Sequence, residues 1–341
     1  MDHTLPKGSL VLVTGANGYI GSHIVDVLLS LKYRVRGTVR TIKNKTWLND
    51  FFDSKYGPGV FETVEVPSLD DTTALDRVMT DVGGVVHVAA DVSFSSDPHA
   101  VIPQAVETTL NVLRAAQKQE SVSRFVLTSS SSAALVPKPN QRGIVVDQTT
   151  YNDAMVAAAW SDDTPEATRA YCVYAAAKTE SERAAWAWSE KEKPGFVLNT
   201  VLPNTNWGRI LIPDHQRGSS MRLVRNFWDG NHSALQLIPP QYFVNVGDCA
   251  RLHVAALLNP SVHHERLFAY AAAFNWTNVI GVLKTLRPDY AGFPEPPPDE
   301  GRDYTIVAGQ KRAETLLKTT FGQNGWTPLE QSLADGIEGL L

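Results

Sequence analysis

The 341-residue sequence has only two cysteines, Cys172 and Cys249, and neither belongs to a CxxC pair. They cannot form a disulfide framework, which indicates a reducing compartment. The formal net charge of −5 argues against a broad electrostatic surface for nucleic acid or an anionic membrane. No apolar run is long enough to span a bilayer, and no signal peptide is visible, so we expect a cytoplasmic protein.

Metal-binding patterns are also missing. No HExxH motif is present, and the adjacent pair His263-His264 points its two side chains apart. We therefore expect no catalytic metal.

Apolar runs rich in Val and Leu alternate with amphipathic stretches through the first two-thirds of the chain. Continuous apolar strands separated by helices are typical of a parallel sheet covered on both faces. The pattern predicts an α/β fold of the Rossmann type, with a doubly wound parallel sheet. The predicted strands cover 10–14, 33–39, 61–66, 85–89, 124–129 and 196–202, and the predicted helices cover 19–31, 100–119 and 165–193.

The character of the sequence changes after Pro203, where residues 204–245 are rich in Pro, Gly, Asn and aromatic side chains. A strand-then-helix pattern returns over 244–258, and 309–321 again looks helical. We predict a nucleotide-binding Rossmann domain over residues 1–203 with a return segment at about 244–260. A smaller C-terminal substrate-binding lobe then covers 204–243 and 261–341. The lobe's aromatic residues either wall an apolar pocket or form its small core: Trp207, Phe227, Trp228 and Tyr242.

Three glycines, Gly15, Gly18 and Gly21, lie at the junction between the first strand and the first helix. Glycine permits the tight turn, a close approach of the backbone to a pyrophosphate, and close packing of the helix on the strand. The free N–H groups at the start of the helix then face the phosphates. The spacing predicts a dinucleotide site, and the alternative is a tight turn without a ligand.

The second predicted strand ends at Arg40, with Lys43 and Lys45 just behind it. Sites that prefer NAD usually carry an acidic residue here to hold the ribose 2′-hydroxyl. A cation attracts a 2′-phosphate instead, so the sequence favours NADPH. The alternative is that the three cations form a solvated loop surface.

Tyr174 and Lys178 lie four residues apart in a predicted helix, which places both side chains on one face. A nearby ammonium lowers the pKa of a tyrosine hydroxyl, and the pair can then protonate a carbonyl oxygen. Tyr171 does not have the four-residue spacing from Lys178 that this pairing requires. The alternative interpretation is an exposed helix pair.

The fifth predicted strand leads into four serines, residues 129–132, at the end of the sheet where ligands bind in this architecture. One hydroxyl can bind the substrate oxygen and the tyrosine. Composition alone does not choose among Ser129, Ser130 and Ser131, and a polar loop is the alternative.

Taken together, TGANGYIG near the N-terminus, FVLTSS after the fifth strand and YAAAK on the following helix resemble the extended short-chain dehydrogenase/reductase family. The sequence is similar to the dihydroflavonol-reductase-like branch. It is closer still to the yeast and fungal carbonyl (aldehyde) reductases, through LPKGSLVLVTG, VPKPN and PPQY. This resemblance covers nearly the whole chain.

The resemblance implies a role for particular residues. The catalytic serine falls on Ser130, the tyrosine and lysine on Tyr174 and Lys178, and a helix asparagine on Asn111. Arg40 matches the arginine that binds the 2′-phosphate. The segment with Pro203 and Asn204 passes beside the nicotinamide, and the implied substrate pocket contains Phe94, Ser130, Leu237, Ile238 and Gln241.

One position departs from the family pattern. An aspartate that contacts adenine usually follows the third strand, whereas this chain has Ser68 and Leu69 there, with Asp70 and Asp71 displaced. Adenine binding is then expected to depend on Ser68 or on backbone groups. The complete predicted cofactor site consists of Thr14, Gly15, Asn17, Gly18, Tyr19, Ile20, Arg40, Lys45, Ser68, Leu69, Ala89, Thr128, Tyr174, Lys178, Pro203 and Asn204.

The sequence thus predicts an NADPH-dependent reductase of small aldehydes and ketones, including ketoesters and aryl ketones. The alternatives are a sugar-nucleotide epimerase or dehydratase with tightly held NAD, and a redox sensor that binds dinucleotide without catalysis. The resemblance also implies that helices around 100–119 and 170–192 can pair in a homodimer, with a monomer as the alternative.

Overall fold

The computed structural model describes residues 3–43 and 46–340. Within those residues the strands are β1 (Leu10–Thr14), β2 (Arg34–Val39), β3 (Phe61–Glu65), β4 (Val82–His87), β5 (Arg124–Thr128), β6 (Val145–Val146), β7 (Val197–Pro203), β8 (Thr205–Trp207), β9 (Gln241–Asn245), β10 (Arg266–Ala269), β11 (Ala272–Phe274) and β12 (Ile306–Val307). The helices are α1 (Tyr19–Ser30), α2 (Thr46–Tyr56), α3 (Thr72–Val78), α4 (Pro98–Gln117), α5 (Asp153–Trp160), α6 (Glu166–Glu192), α7 (Ser220–Arg225), α8 (Ala234–Leu237), α9 (Val246–Leu258), α10 (Trp276–Leu286), α11 (Gln310–Phe321) and α12 (Leu329–Gly336). None of the helices in these two ranges is both long and apolar enough to cross a membrane.

The main sheet of the described chain contains seven strands in the order β10-β7-β5-β4-β1-β2-β3, and its neighbouring strands pair in parallel. The first strand therefore lies inside the sheet, and the chain winds outward from it in both directions. Such an order opens a crevice at the carboxyl ends of the strands where the winding reverses, here between β1 and β4. The predicted Rossmann-type α/β fold is confirmed.

Helices cover both faces of this sheet, which explains why its strands are apolar throughout. Val11 and Val13 of β1 pack on the face covered by α1, α9 and α11. Leu10 and Leu12 point to the opposite face, which is covered by α3, α4 and α6. Because successive side chains of a strand alternate between faces, a strand buried on both sides contains an unbroken apolar run.

Two elements of the predicted lobe belong instead to the main sheet layer. Strand β10 pairs with β7 at the edge of the sheet, with Ala269 opposite Pro203. Helix α11 buries Leu316 and Leu317 in the same apolar cluster as α1 and α9. The structure therefore differs from the predicted division of the chain, which assigned all of residues 261–341 to the lobe.

The lobe has its own small sheet, in the order β11-β9-β8, and an aromatic core. Trp207 and Phe227 are fully buried there, and the ring of Trp207 lies 4.4 Å from that of Phe274. Trp228 stacks on Tyr290 at 5.2 Å. These contacts favour the core interpretation of the lobe's tryptophans over the pocket interpretation.

Candidate active site

The glycine turn between β1 and α1 has room for backbone atoms only. Gly15 has a φ of +66°, which side-chain-bearing residues rarely adopt, and an added Cβ would lie 3.2 Å from the backbone N and Cα of Ala89. A Cβ added at Gly21 would contact the Gly15 carbonyl oxygen. The Gly18 N–H donates to that oxygen at 2.9 Å. This bare turn at the start of a helix fits a pyrophosphate held by backbone N–H groups.

Thr14 ties the glycine turn to the end of β4. Its Oγ1 accepts hydrogen bonds from the N–H groups of Val88 at 2.9 Å and Ala89 at 3.0 Å. Since a hydroxyl accepts two bonds and donates one, its proton is left for Nδ1 of His87, 2.8 Å away. Burial lowers the pKa of His87 to about 3, so this ring stays neutral and able to accept. The backbone of Ala89 is thereby fixed against Gly15.

The lobe also holds the glycine turn, through a residue that the sequence analysis did not select. The Gln216 side-chain amide donates to the Asn17 carbonyl at 3.2 Å and to Ser22 Oγ at 2.9 Å. A second contact runs from the turn to the lobe, because the Tyr19 hydroxyl donates to the Gly208 carbonyl at 2.7 Å. The side chain of Tyr19 therefore faces the lobe, and only its backbone is available at the turn. Ile20 beside it packs between the two apolar cores.

The predicted nucleotide-end residues lie after β2 and β3. Arg40 is exposed directly after β2, as is Lys43, whereas Lys45 lies outside the described residues. Ser68 is exposed and donates to Asp70 at 3.0 Å.

Neither displaced aspartate is free to replace the missing one after β3. The Asp71 carboxylate caps α3 by accepting from the Ala74 N–H at 2.9 Å. Asp70 accepts from Gln104 at 2.6 Å, in addition to its bond with Ser68. Ser68, Leu69 and backbone groups stay the predicted contacts for adenine.

Tyr174, Ser130 and Lys178 come together at the carboxyl ends of the central strands. Burial raises the pKa of the Tyr174 hydroxyl above its usual value, and hydrogen bonds with Ser130 and Ser132 oppose that rise. The Lys178 ammonium donates to the Thr128 carbonyl at 3.4 Å. Desolvation lowers the pKa of Lys178 to about 8, while the carboxylate of Glu182 raises it in part. The pKa of Tyr174 is therefore raised by burial rather than lowered as expected, and Tyr174 is a protonated hydroxyl at neutral pH.

The four consecutive serines, residues 129–132, have different hydrogen-bond partners in the structure. Ser129 Oγ donates to the buried Glu182 carboxylate at 2.9 Å, and Ser131 bonds to the hydroxyl of Tyr270. Ser130 and Ser132 bond to each other, with their hydroxyl oxygens 2.9 Å apart, and both reach Tyr174. Ser132 was not among the predicted site residues.

Asn111 does not join this group. Its amide donates to the Leu69 carbonyl at 3.3 Å, and its oxygen accepts from Arg114 at 3.1 Å. These contacts place Asn111 beside the turn after β3 rather than beside Tyr174. No hydrogen bond joins Asn111 to Tyr174 among the described residues, and the catalytic role that the family resemblance implies for Asn111 stays a prediction.

Three further predicted cofactor residues lie at the strand ends. The Thr128 hydroxyl bonds to His253 Nε2 at 2.8 Å, so its side chain points into the core and its carbonyl faces Lys178. Pro203 ends β7, and the Asn204 side chain accepts from the Thr205 N–H at 2.7 Å.

Among the other residues of the predicted substrate pocket, Phe94 contacts Tyr174. The two rings lie 4.9 Å apart, and Phe94 is about half exposed with an unusual φ of +54°. Leu237 is exposed at the end of α8, and Gln241 begins β9. Ile238 is buried in the lobe core, where its carbonyl accepts from the Trp276 indole at 2.8 Å.

Comparison with known proteins places this geometry in a family. The NAD dependent epimerase/dehydratase family matches residues 11–269. The chain is 42% identical to "Ketoreductase nvfG" of Aspergillus novofumigatus over 98% of this chain and 97% of that protein. It is 41% identical to "Aldehyde reductase 2" of Sporidiobolus salmonicolor, over 97% and 96% of the two chains.

A solved structure has the same fold. The yeast methylglyoxal/isovaleraldehyde reductase Gre2, complexed with NADPH, superposes with a TM-score of 0.79 over 96% of each chain, at 24% identity. The glycine turn, the parallel sheet and the matches over nearly the full length agree with one another. The chain is an oxidoreductase and belongs to the NAD dependent epimerase/dehydratase family.

Proposed function

We propose that the chain reduces aldehydes and ketones, including ketoesters and aryl ketones, to alcohols with NADPH, and that Tyr174 is the proton donor. The observation that carries this proposal is the convergence of Tyr174, Ser130 and Lys178 at the carboxyl ends of the strands. The names of the two relatives, a ketoreductase and an aldehyde reductase, support the same reaction class.

The side chains divide the chemistry between them. Bound NADPH would supply the hydride that the carbonyl carbon accepts. Tyr174 donates its hydroxyl proton to the carbonyl oxygen, and Ser130 donates a hydrogen bond that orients this oxygen. Lys178 stabilises the tyrosinate that remains, because its ammonium is held on the same helix face one turn away. A proton from solvent then restores Tyr174.

The preference for NADPH rests on Arg40. The residue follows β2 directly, is exposed, and occupies the position where an acidic side chain would favour NAD. Its guanidinium can bind a 2′-phosphate by two parallel hydrogen bonds. We expect Arg40→Ser to raise the KM for NADPH about tenfold or more and to leave the KM for NADH within about twofold, consistent with one lost charged contact.

The pocket chemistry favours flat apolar substrates. The exposed ring of Phe94 lies beside Tyr174, and a carbonyl compound placed at the tyrosine hydroxyl would contact it. Aromatic rings prefer offset or edge contacts with other rings. Aryl ketones are therefore expected to have lower KM values than aliphatic ketones of the same size.

The test is Tyr174→Phe with Tyr171→Phe as its matched control on the same helix. A panel of aldehydes, ketoesters and aryl ketones is assayed with NADPH and NADH in parallel. We expect Tyr174→Phe to lower kcat by about 10²-fold or more, and Tyr171→Phe to stay near the native rate. Near-native turnover by Tyr174→Phe would refute the mechanism. Tightly bound NAD in the purified protein, with no turnover of any carbonyl compound, would favour an epimerase or dehydratase.

A further inference from the structure

Ser132 supplies two hydrogen bonds to a single atom, the Oγ of Ser130. Its backbone N–H donates at 3.2 Å and its hydroxyl donates at 2.9 Å. A serine hydroxyl has one proton and can accept two hydrogen bonds. With both acceptor positions occupied by Ser132, the Ser130 hydroxyl is left with only its proton to offer.

The direction of that remaining bond matters for the proposed reaction. A carbonyl oxygen gains negative charge as its carbon is reduced, and a donor placed in advance stabilises the charge. A Ser130 hydroxyl whose lone pairs faced the substrate would oppose it. We propose that Ser132 is a positioning residue that fixes the Ser130 hydroxyl as a hydrogen-bond donor, which faces Tyr174 in the free protein and the substrate oxygen once substrate is bound. This inference rests on the proposed carbonyl reduction.

The local fold holds Ser132 firmly in this position. Ser130 is the N-terminal cap of a short 3₁₀ helix, Ser131–Ala133, and Ser132 is only 2% exposed. The Asn152 side chain donates to the Ser132 carbonyl at 2.8 Å, and the Asn152 backbone N–H donates to the Ala133 carbonyl at 3.0 Å. The backbone and the carbonyl of Ser132 are thus bonded independently of its hydroxyl.

Ser132 also lies close to the proton donor itself. Hydrogen bonds from Ser130 and Ser132 both act against the burial that raises the pKa of Tyr174. Once Tyr174 has lost its proton, its oxygen can only accept, and Ser130, whose lone pairs are occupied by Ser132, is the serine with a proton left to donate. Loss of Ser132 should therefore slow the chemical step and leave cofactor binding unchanged.

The first test compares Ser132→Thr with Ser132→Val. These side chains have nearly the same shape, so both variants carry the same steric burden, and only threonine keeps a hydroxyl. We expect the threonine variant to have a kcat at least about tenfold above that of the valine variant, with equal Tm and equal NADPH affinity by fluorescence titration. Equal kcat values for the two variants would overturn the proposal.

The second test is a double-mutant cycle of Ser130→Ala and Ser132→Ala. If Ser132 acts through Ser130, Ser132→Ala should lower kcat about tenfold in the native background and less than about twofold in the Ser130→Ala background. Equal effects in both backgrounds would indicate a merely structural role and would refute the proposal. A native rate for Ser130→Ala alone would refute the role of Ser130, whereas no turnover of any carbonyl compound by the native protein would refute the proposed function, so the two failures are distinguishable.

Discussion

Glu182 and Arg266 form a buried ion pair beneath the strand end that carries the serines. Glu182 Oε1 lies 2.9 Å from Arg266 Nε, and Oε2 lies 3.1 Å from Nη2, with side-chain exposures of 0% and 5%. Ser129 and Thr200 donate to the same carboxylate at 2.9 and 2.7 Å. Glu182 is also one helical turn from Lys178, so the pair connects the edge strand β10 to the candidate active site.

Removing one member of this pair should destabilise the protein strongly, because the other charge is left buried without its counter-ion. We expect Arg266→Met to lower the free energy of unfolding by about 3–5 kcal/mol. The control is Lys284→Met, which breaks the exposed pair between Lys284 and Glu295 and should cost no more than about 1 kcal/mol. Urea denaturation followed by far-UV circular dichroism measures both. Equal losses would contradict the structural role of the Glu182–Arg266 pair.

Gly21→Ala should damage the glycine turn, because the new methyl group would meet the Gly15 carbonyl oxygen. We expect the Kd for NADPH to rise about tenfold or more, which corresponds to about 1.4 kcal/mol. Gly281→Ala is the matched control, since Gly281 lies inside α10 with open space where a Cβ would stand. That variant should bind NADPH normally and gain up to about 1 kcal/mol of stability. A native Kd for Gly21→Ala would show that the turn is not the phosphate site.

The lowered pKa of Lys178 predicts a pH dependence of activity. In the cofactor-free protein this pKa is about 8, so the ammonium is lost as pH rises through that value. We expect kcat/KM for reduction to fall above about pH 8, approaching tenfold per pH unit. Lys178→Arg should abolish this alkaline limb, because a guanidinium keeps its charge. If kcat/KM of the Lys178→Arg variant still falls at the same pH, another group causes the alkaline loss of activity.

The lowered pKa of Lys178 also predicts how the free energy of unfolding changes with pH. Between about pH 8 and the ordinary value of 10.5, the unfolded chain holds a proton on Lys178 that the folded protein lacks. The contribution of Lys178 to stability therefore increases with pH across this window. Replacing Lys178 by methionine should flatten that part of the curve of unfolding free energy against pH.

Gln216→Leu tests the contact between the lobe and the glycine turn. The substitution removes the bonds to the Asn17 carbonyl and to Ser22, and we expect a three- to tenfold rise in the Kd for NADPH, equivalent to roughly one hydrogen bond. Gln331→Leu is the control, because Gln331 bonds to Asp335 on the exposed side of α12. An unchanged Kd for Gln216→Leu would show that the turn keeps its shape without the lobe.

The elements that sequence analysis predicted well are those with a strong local pattern. β1 begins and ends where its apolar run predicts, and the long helix α6 differs from the predicted range by one residue at each end. Helices α2 and α3 were not predicted from the sequence, because they bury few apolar side chains of their own. Short helices of this kind depend on tertiary contacts and caps, such as Asp71 at the start of α3.

Local sequence patterns predict the parallel sheet, the glycine turn and the placement of Tyr174 and Lys178 on one helix face, because each follows from rules that act over a few neighbouring residues. The family resemblance had already assigned Ser130, but only the tertiary structure showed that Ser132 also reaches Tyr174, since four hydroxyls in a row differ only in where the chain turns. The tertiary structure also decided that Arg266 enters a buried strand, because its counter-ion Glu182 is 84 residues away. Gln216 reaches the glycine turn across 199 residues. Contacts at such separations leave no periodicity in the sequence, and they complete the candidate site.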